Sequence, residues 1–124
     1  MLLKTLLAVA VGGSLGAVSR YGLAQWVTSM WPKAYPLGTF AVNLLGCLAI
    51  GILYGLWLAR PEASPLLRQG LIIGFLGAFT TFSTFSLDTF RLMESGESLL
   101  ALGYILLSVC ACLAATWAGL ALTR

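Results

Sequence analysis

Charge is so sparse in this chain that its positions dictate the architecture. Eleven formal charges are spread over 124 residues, and between them lie uncharged runs at residues 34–59, 69–87 and 98–123. A helix crosses the hydrocarbon of a bilayer with about 20 apolar residues, so each run is long enough to span. The first segment carries Lys4 and then Arg20. Its span either ends near Arg20 or carries that arginine inward, at a cost of a few kcal/mol unless the group is paired or snorkels. Hydrophobic residues make up 60% of the chain and charged ones 9%, against about 25% charged in a soluble domain. A soluble catalytic domain and a disordered chain are both excluded.

The turn residues divide the chain at the same places. All four prolines fall in two short stretches, Pro32 with Pro36 and Pro61 with Pro65, and Glu94-Ser95-Gly96-Glu97 marks a third loop. The expectation is an all-α membrane protein of one four-helix domain over 1–124, with helices near 3–30, 37–59, 66–92 and 97–122. Trp26, Trp31, Tyr35 and Trp57 lie near the expected ends, where interfacial aromatic residues sit. Lys4 ahead of an apolar run resembles a signal peptide, but the run is longer than the usual hydrophobic region and three more spans follow. Cys47, Cys110 and Cys112 all fall inside spans and are read as packing residues. There is no histidine, which removes the commonest proton shuttle and metal ligand.

Four spans put both termini on one side. Lys4, Arg60, Arg68 and Arg124 then face Lys33 and Arg91 across the membrane, with Arg20 joining the second group if it reaches that surface. Orientation follows lysine and arginine bias in short loops. So small a bias allows either a fixed orientation or insertion both ways, the latter giving an antiparallel homodimer. Gly12 with Gly16, Gly51 with Gly55, and Gly70 with Gly74 are spaced four apart and suit close helix packing.

The third span holds the densest chemical signal. From Thr80 to Ser86 only Phe82 and Phe85 lack a hydroxyl, and Gly74 and Gly77 precede the cluster. The expectation is a helix broken near the midplane, where freed carbonyls and amides build ion sites. Otherwise the hydroxyls of Thr81, Ser83 and Thr84 bond back to preceding carbonyls of a continuous helix. Phe82 and Phe85, three apart, share a face if their segment is helical, and their positive ring edges suit an anion. Asn43, the only asparagine, either donates to an anion or bonds a neighbouring helix. Tyr104, Ser108, Cys112 and Thr116 recur every four residues in the fourth span, as a line of donors along a pore or as glue between helices.

These residues together resemble the Fluc, or CrcB, family of bacterial fluoride channels. The likeness runs through Gly12-Gly13, Gly16-Ala17 and Arg20-Tyr21 in the first span and Gly38-Thr39, Val42-Asn43 and Gly46 in the second. It is sharpest in Gly74-Phe75, Gly77 and Thr80-Thr81-Phe82-Ser83-Thr84-Phe85. The fourth span matches by length and polar stripe, with Cys112 standing where a hydroxyl is the easier expectation. The resemblance implies an antiparallel, dual-topology homodimer in the bacterial inner membrane that exports fluoride passively through two pathways. It implies an anion path along Phe82, Phe85, Asn43, Ser108 and Tyr104, with Thr81, Ser83 and Thr84 on it, and Arg20 at the end of the first helix either draws anions into a vestibule or secures packing. A structural sodium ion (Na+) at the dimer centre, held by the backbone carbonyls of Gly77 and Thr80, is implied as well. A small proton-coupled exporter is the alternative of similar size, but it needs a carboxylate well inside the membrane. Asp88 comes nearest, while Glu62, Glu94 and Glu97 sit at span ends. A structural subunit without transport is a third reading, and it leaves the hydroxyl cluster unexplained.

Overall fold

The computed structural model describes residues 1–31 and 35–124, and every described helix belongs to one of four candidate membrane spans. Pro32 and Lys33, assigned from sequence to the first loop, lie outside the described residues. Helix α1 runs Leu2–Met30 and α2 runs Leu37–Ala59. At 1.5 Å per residue α1 is roughly 44 Å long, longer than the hydrocarbon core, so it tilts or projects. Helix α2 begins just after Pro36 and stops just before Pro61, as the proline positions require.

The third span, Pro65–Glu94, is two helices. Helix α3 covers residues 65–79. Its start is capped by the Ser64 hydroxyl, which accepts the Leu67 amide at 3.3 Å, with Pro65 in the first turn. From Gly70 to Leu76 the helix is wound as a π-helix, and the Gly77 amide reaches back to the Ile72 carbonyl. The chain then leaves helical geometry at Thr80 (φ −84°, ψ 158°) and Thr81 (φ −148°, ψ 123°). Helix α4, Phe82–Glu94, follows. Gly96 ends it at φ 82°, its amide on the Met93 carbonyl and the next amide, Glu97, on the Leu92 carbonyl at 2.8 Å. That pattern needs a residue free to take positive φ, hence the glycine. Helix α5 spans Ser98–Leu122.

Glycine sets the two tightest helix crossings. A methyl on Gly16 of α1 would run into the Phe75 carbonyl of α3, and one on Gly12 into the Gly70 carbonyl. On the other side of the bundle, Gly51 of α2 lies on the Thr116 carbonyl of α5, and Gly119 of α5 on the Leu48 carbonyl of α2. With no hydrophobic drive between helices in lipid, such close backbone approach is the main attraction available. Val42, Leu76, Phe79, Leu92, Ala101 and Tyr104 are buried between the helices. Large apolar side chains elsewhere, such as Leu7, Val18, Leu106 and Trp117, point outward, which suits a lipid-facing surface.

Candidate anion site at the helix break

Breaking a helix inside a membrane strands backbone groups, and here several of them are met by specific neighbours. In an unbroken helix the Thr81 amide would bond to the Gly77 carbonyl. It bonds instead to Oδ1 of Asn43 at 2.7 Å, while Nδ2 of Asn43 donates to the Thr81 carbonyl at 3.0 Å. The Asn43 amide therefore pairs with an extended residue as a neighbouring strand would. The Thr84 amide, which helical continuity would send to the Thr80 carbonyl, bonds to Oγ1 of Thr81 at 3.2 Å and so starts α4. The Thr80 hydroxyl bonds back to the Leu76 carbonyl at 3.0 Å. Arg20, reaching from α1, donates from Nε to the Ala78 carbonyl at 3.1 Å. A cation at the C-terminal end of α3 also opposes the negative pole of that helix.

Two of the carbonyls, Gly77 and Thr80, have thus lost the amides that a continuous helix would give them. The hydroxyls of Ser83 and Thr84 turn to Thr81, at 3.4 and 3.2 Å from its Oγ1.

Beside the break lies a groove of about 250 Å³ between α2, α4 and α5. Asn43, Phe82, Phe85 and Ser108 line it, together with Thr80, Thr81, Cys47 and Cys112. The Phe82 and Phe85 rings are 5.5 Å apart and tilted by 55°, so α4 does present them together. Phe82 is 79% exposed and Phe85 is half-buried. Phe85 leans on the buried Tyr104 at 5.1 Å, and Tyr104 meets Tyr35 edge-on at 5.8 Å. An unbroken aromatic series therefore joins the groove to a second, more polar cavity of about 480 Å³.

That second cavity opens where α1 and α4 end and α2 begins. Thr39, Tyr35, Asp88 and Arg91 line it, and the Thr39 hydroxyl donates to Oδ2 of Asp88 at 2.7 Å.

Ser108 differs from the other hydroxyls. It is buried, at 6% exposure, and its Oγ finds no partner among the described residues; nor does the hydroxyl of Tyr104. The fourth-span stripe splits in the structure. Ser108 and Cys112 face the groove, Tyr104 packs into the aromatic series, and the Thr116 hydroxyl donates to the Cys47 carbonyl at 3.0 Å.

Two contributors were given no part in the site by the sequence reading: Thr39, named only within the family likeness, and Cys47, read as a packing residue. They lie one turn to either side of Asn43, so α2 carries its own stripe of three at the same four-residue spacing. That spacing is the signal that would have found them.

Comparison with known proteins identifies the family. Residues 7–120 match the family described as CrcB-like protein, Camphor Resistance (CrcB). A Pseudomonas putida protein named fluoride-specific ion channel FluC is 59% identical over 94% of both chains. Proteins of the same name from Pseudomonas syringae pv. tomato and Stutzerimonas stutzeri are 54% and 56% identical over 99% of both chains. The chain is therefore a multi-pass bacterial inner-membrane protein that belongs to the CrcB family.

Proposed function

We propose that the chain is a fluoride-selective anion channel that exports fluoride passively and so protects the cell from its toxicity. The observation that carries the reading is the unpartnered, buried Ser108 hydroxyl facing the same groove as the Phe82–Phe85 pair. Leaving a buried donor unmet costs about 1–3 kcal/mol, a cost that a ligand accepting from it would offset. Fluoride is small and strongly hydrated, so its water must be replaced by comparable donors. Ser108 supplies one. Asn43 supplies another, since only one of its two amide hydrogens is taken by Thr81. The positive ring edges of Phe82 and Phe85 complete the lining. An inside-negative potential favours exit by about 2.3 kcal/mol per 100 mV, so no proton or nucleotide coupling is needed.

The pathway is completed in an antiparallel, dual-topology homodimer with two such grooves. The near-balanced lysine and arginine count and the 79% exposure of Phe82 support that assembly. The carbonyls of Gly77 and Thr80, freed at the end of a half-helix, fit a sodium ion, and a second copy would bring the same pair. Such an ion, when bound, supplies a fixed positive charge and a tie between the two chains. Arg20 serves the break through Ala78 in this reading, rather than standing free to collect anions.

The test is efflux from liposomes loaded with potassium fluoride or potassium chloride, followed with ion-selective electrodes. Rapid fluoride release without matching chloride release is expected. Absence of fluoride release from folded, reconstituted protein would end the channel reading.

A further inference from the structure

Two thiols face the groove from opposite helices. Cys47 of α2 and Cys112 of α5 both line it, both are free, and they meet it at the same level of the two helices. That common level is built into the helix crossing. One turn beyond Cys112, the Thr116 hydroxyl is bonded to the Cys47 carbonyl, and Gly51 lets the two backbones touch there. The register of α2 on α5 is therefore locked at the level of the thiols. Each is half-buried, so each is recessed from lipid yet open to the groove. Cys110, two residues from Cys112, lies about 200° further round the helix by the 3.6-residue period, and it is exposed.

We propose that Cys47 and Cys112 form a two-thiolate site for a soft divalent cation that takes two ligands in line, with mercury(II) as its type, and that filling it closes the groove. Thiolate selects soft metals. Zinc is a poor fit, because it takes four ligands. Among the described residues no cluster of three or more histidine, cysteine, aspartate or glutamate side chains exists. Charge chooses between the soft ions. A divalent ion with two thiolates is neutral, whereas a monovalent one would leave a net negative charge at membrane depth, where burial of charge is costly. In the binding step two S–H bonds break, each sulfur gives an electron pair to the metal, and two protons leave to water in the groove. No electron is transferred. The bound ion sits beside Phe82 and Phe85, across the route that the channel reading assigns to the anion.

Only the closure half of this proposal rests on the channel reading, and the experiment separates the two. C110S protein, whose only thiols are the pair, is compared with the C47S/C110S and C112S/C110S double variants. Each is exposed to mercury(II) nitrate in chloride-free buffer, then washed briefly with a competing monothiol. The C110S protein is expected to keep one mercury per chain through the wash, by mass spectrometry, and to lose both maleimide-reactive thiols. The double variants should lose their metal in the wash. Mercury held equally well by a double variant would overturn the site. So would two mercury ions per C110S chain, or mercury cross-links between chains. Fluoride efflux is then read for each protein relative to its own untreated rate. Loss in C110S and retention in the double variants is expected, and unchanged efflux from mercury-loaded C110S would overturn closure. If untreated proteins show no efflux, the channel reading fails, while the mercury count still decides the site.

Discussion

Asn43→Ala removes both hydrogen bonds that hold Thr81 in its extended conformation, at 2.7 and 3.0 Å. In a dry interior, two stranded backbone groups would cost about 1–3 kcal/mol each. Polar bonds between membrane helices are worth less, about 0.6 kcal/mol on average and up to about 1.7. Thr81 borders a groove that water can enter, so the membrane figures apply, and two bonds give a loss of about 1–3 kcal/mol. The assay is reversible unfolding in mixed micelles of rising SDS content, followed by tryptophan fluorescence. Asn43→Asp separates the two bonds. It keeps an acceptor for the Thr81 amide but sets a carboxylate oxygen against the Thr81 carbonyl, so its stability should fall as well. The added negative charge should suppress anion flux further. An Asn43→Ala protein within about 0.5 kcal/mol of wild type would refute the brace. Flux lost without any loss of stability would assign Asn43 to the ion alone.

Other perturbations test other parts of the site. Phe82→Ile and Phe85→Ile keep bulk but lose the polarised ring edge, so fluoride efflux should collapse while each variant still elutes where the wild type does. Because Phe85 packs on Tyr104, its variant should also lose about 0.5–1.5 kcal/mol of aromatic pairing; wild-type efflux in both would make the rings packing residues. Ser108→Ala deletes a hydroxyl without a partner among the described residues, so stability should hold or rise while efflux falls. Unchanged efflux would remove Ser108 from the path. Gly16→Ala drives a methyl into the Phe75 backbone and should destabilise the protein by about 1–3 kcal/mol in the same unfolding assay. Finally, Asp88→Asn keeps an acceptor for the Thr39 hydroxyl, and a channel should retain its fluoride efflux. Substrate-driven proton movement in the wild type that disappears in this variant would favour a proton-coupled exporter.

The four spans could be read from the chain because their cause is one-dimensional. Charge and proline are excluded from membrane helices wherever they stand in the fold, so their positions alone mark the ends. The break was legible for a similar reason, since Thr80-Thr81 and the glycines before them are local signals of a backbone that can leave helical geometry. What completes the break is not local. Asn43 lies 38 residues from Thr81 and Arg20 lies 58 from Ala78. Both bonds go to backbone atoms, which every residue carries, so no choice of residue type at 78 or 81 advertises the partner. The π-helical winding at Gly70–Leu76 lies where α1 approaches most closely through Gly12 and Gly16, more than fifty residues away in the chain, so it too has no local signal.

The stripes of α2 and α5 carry this argument to the site itself. Thr39, Asn43 and Cys47 have no evident meaning on a lone apolar helix, where a threonine or cysteine packs as well as any small residue. They acquire one when glycine-tight packing sets them against Tyr104, Ser108 and Cys112. The groove is therefore a product of the α2–α5 crossing. Side chains that are individually ordinary come to line one groove because two backbones are allowed to touch at Gly51, one turn beyond Cys47, and at Gly119, two turns beyond Cys112.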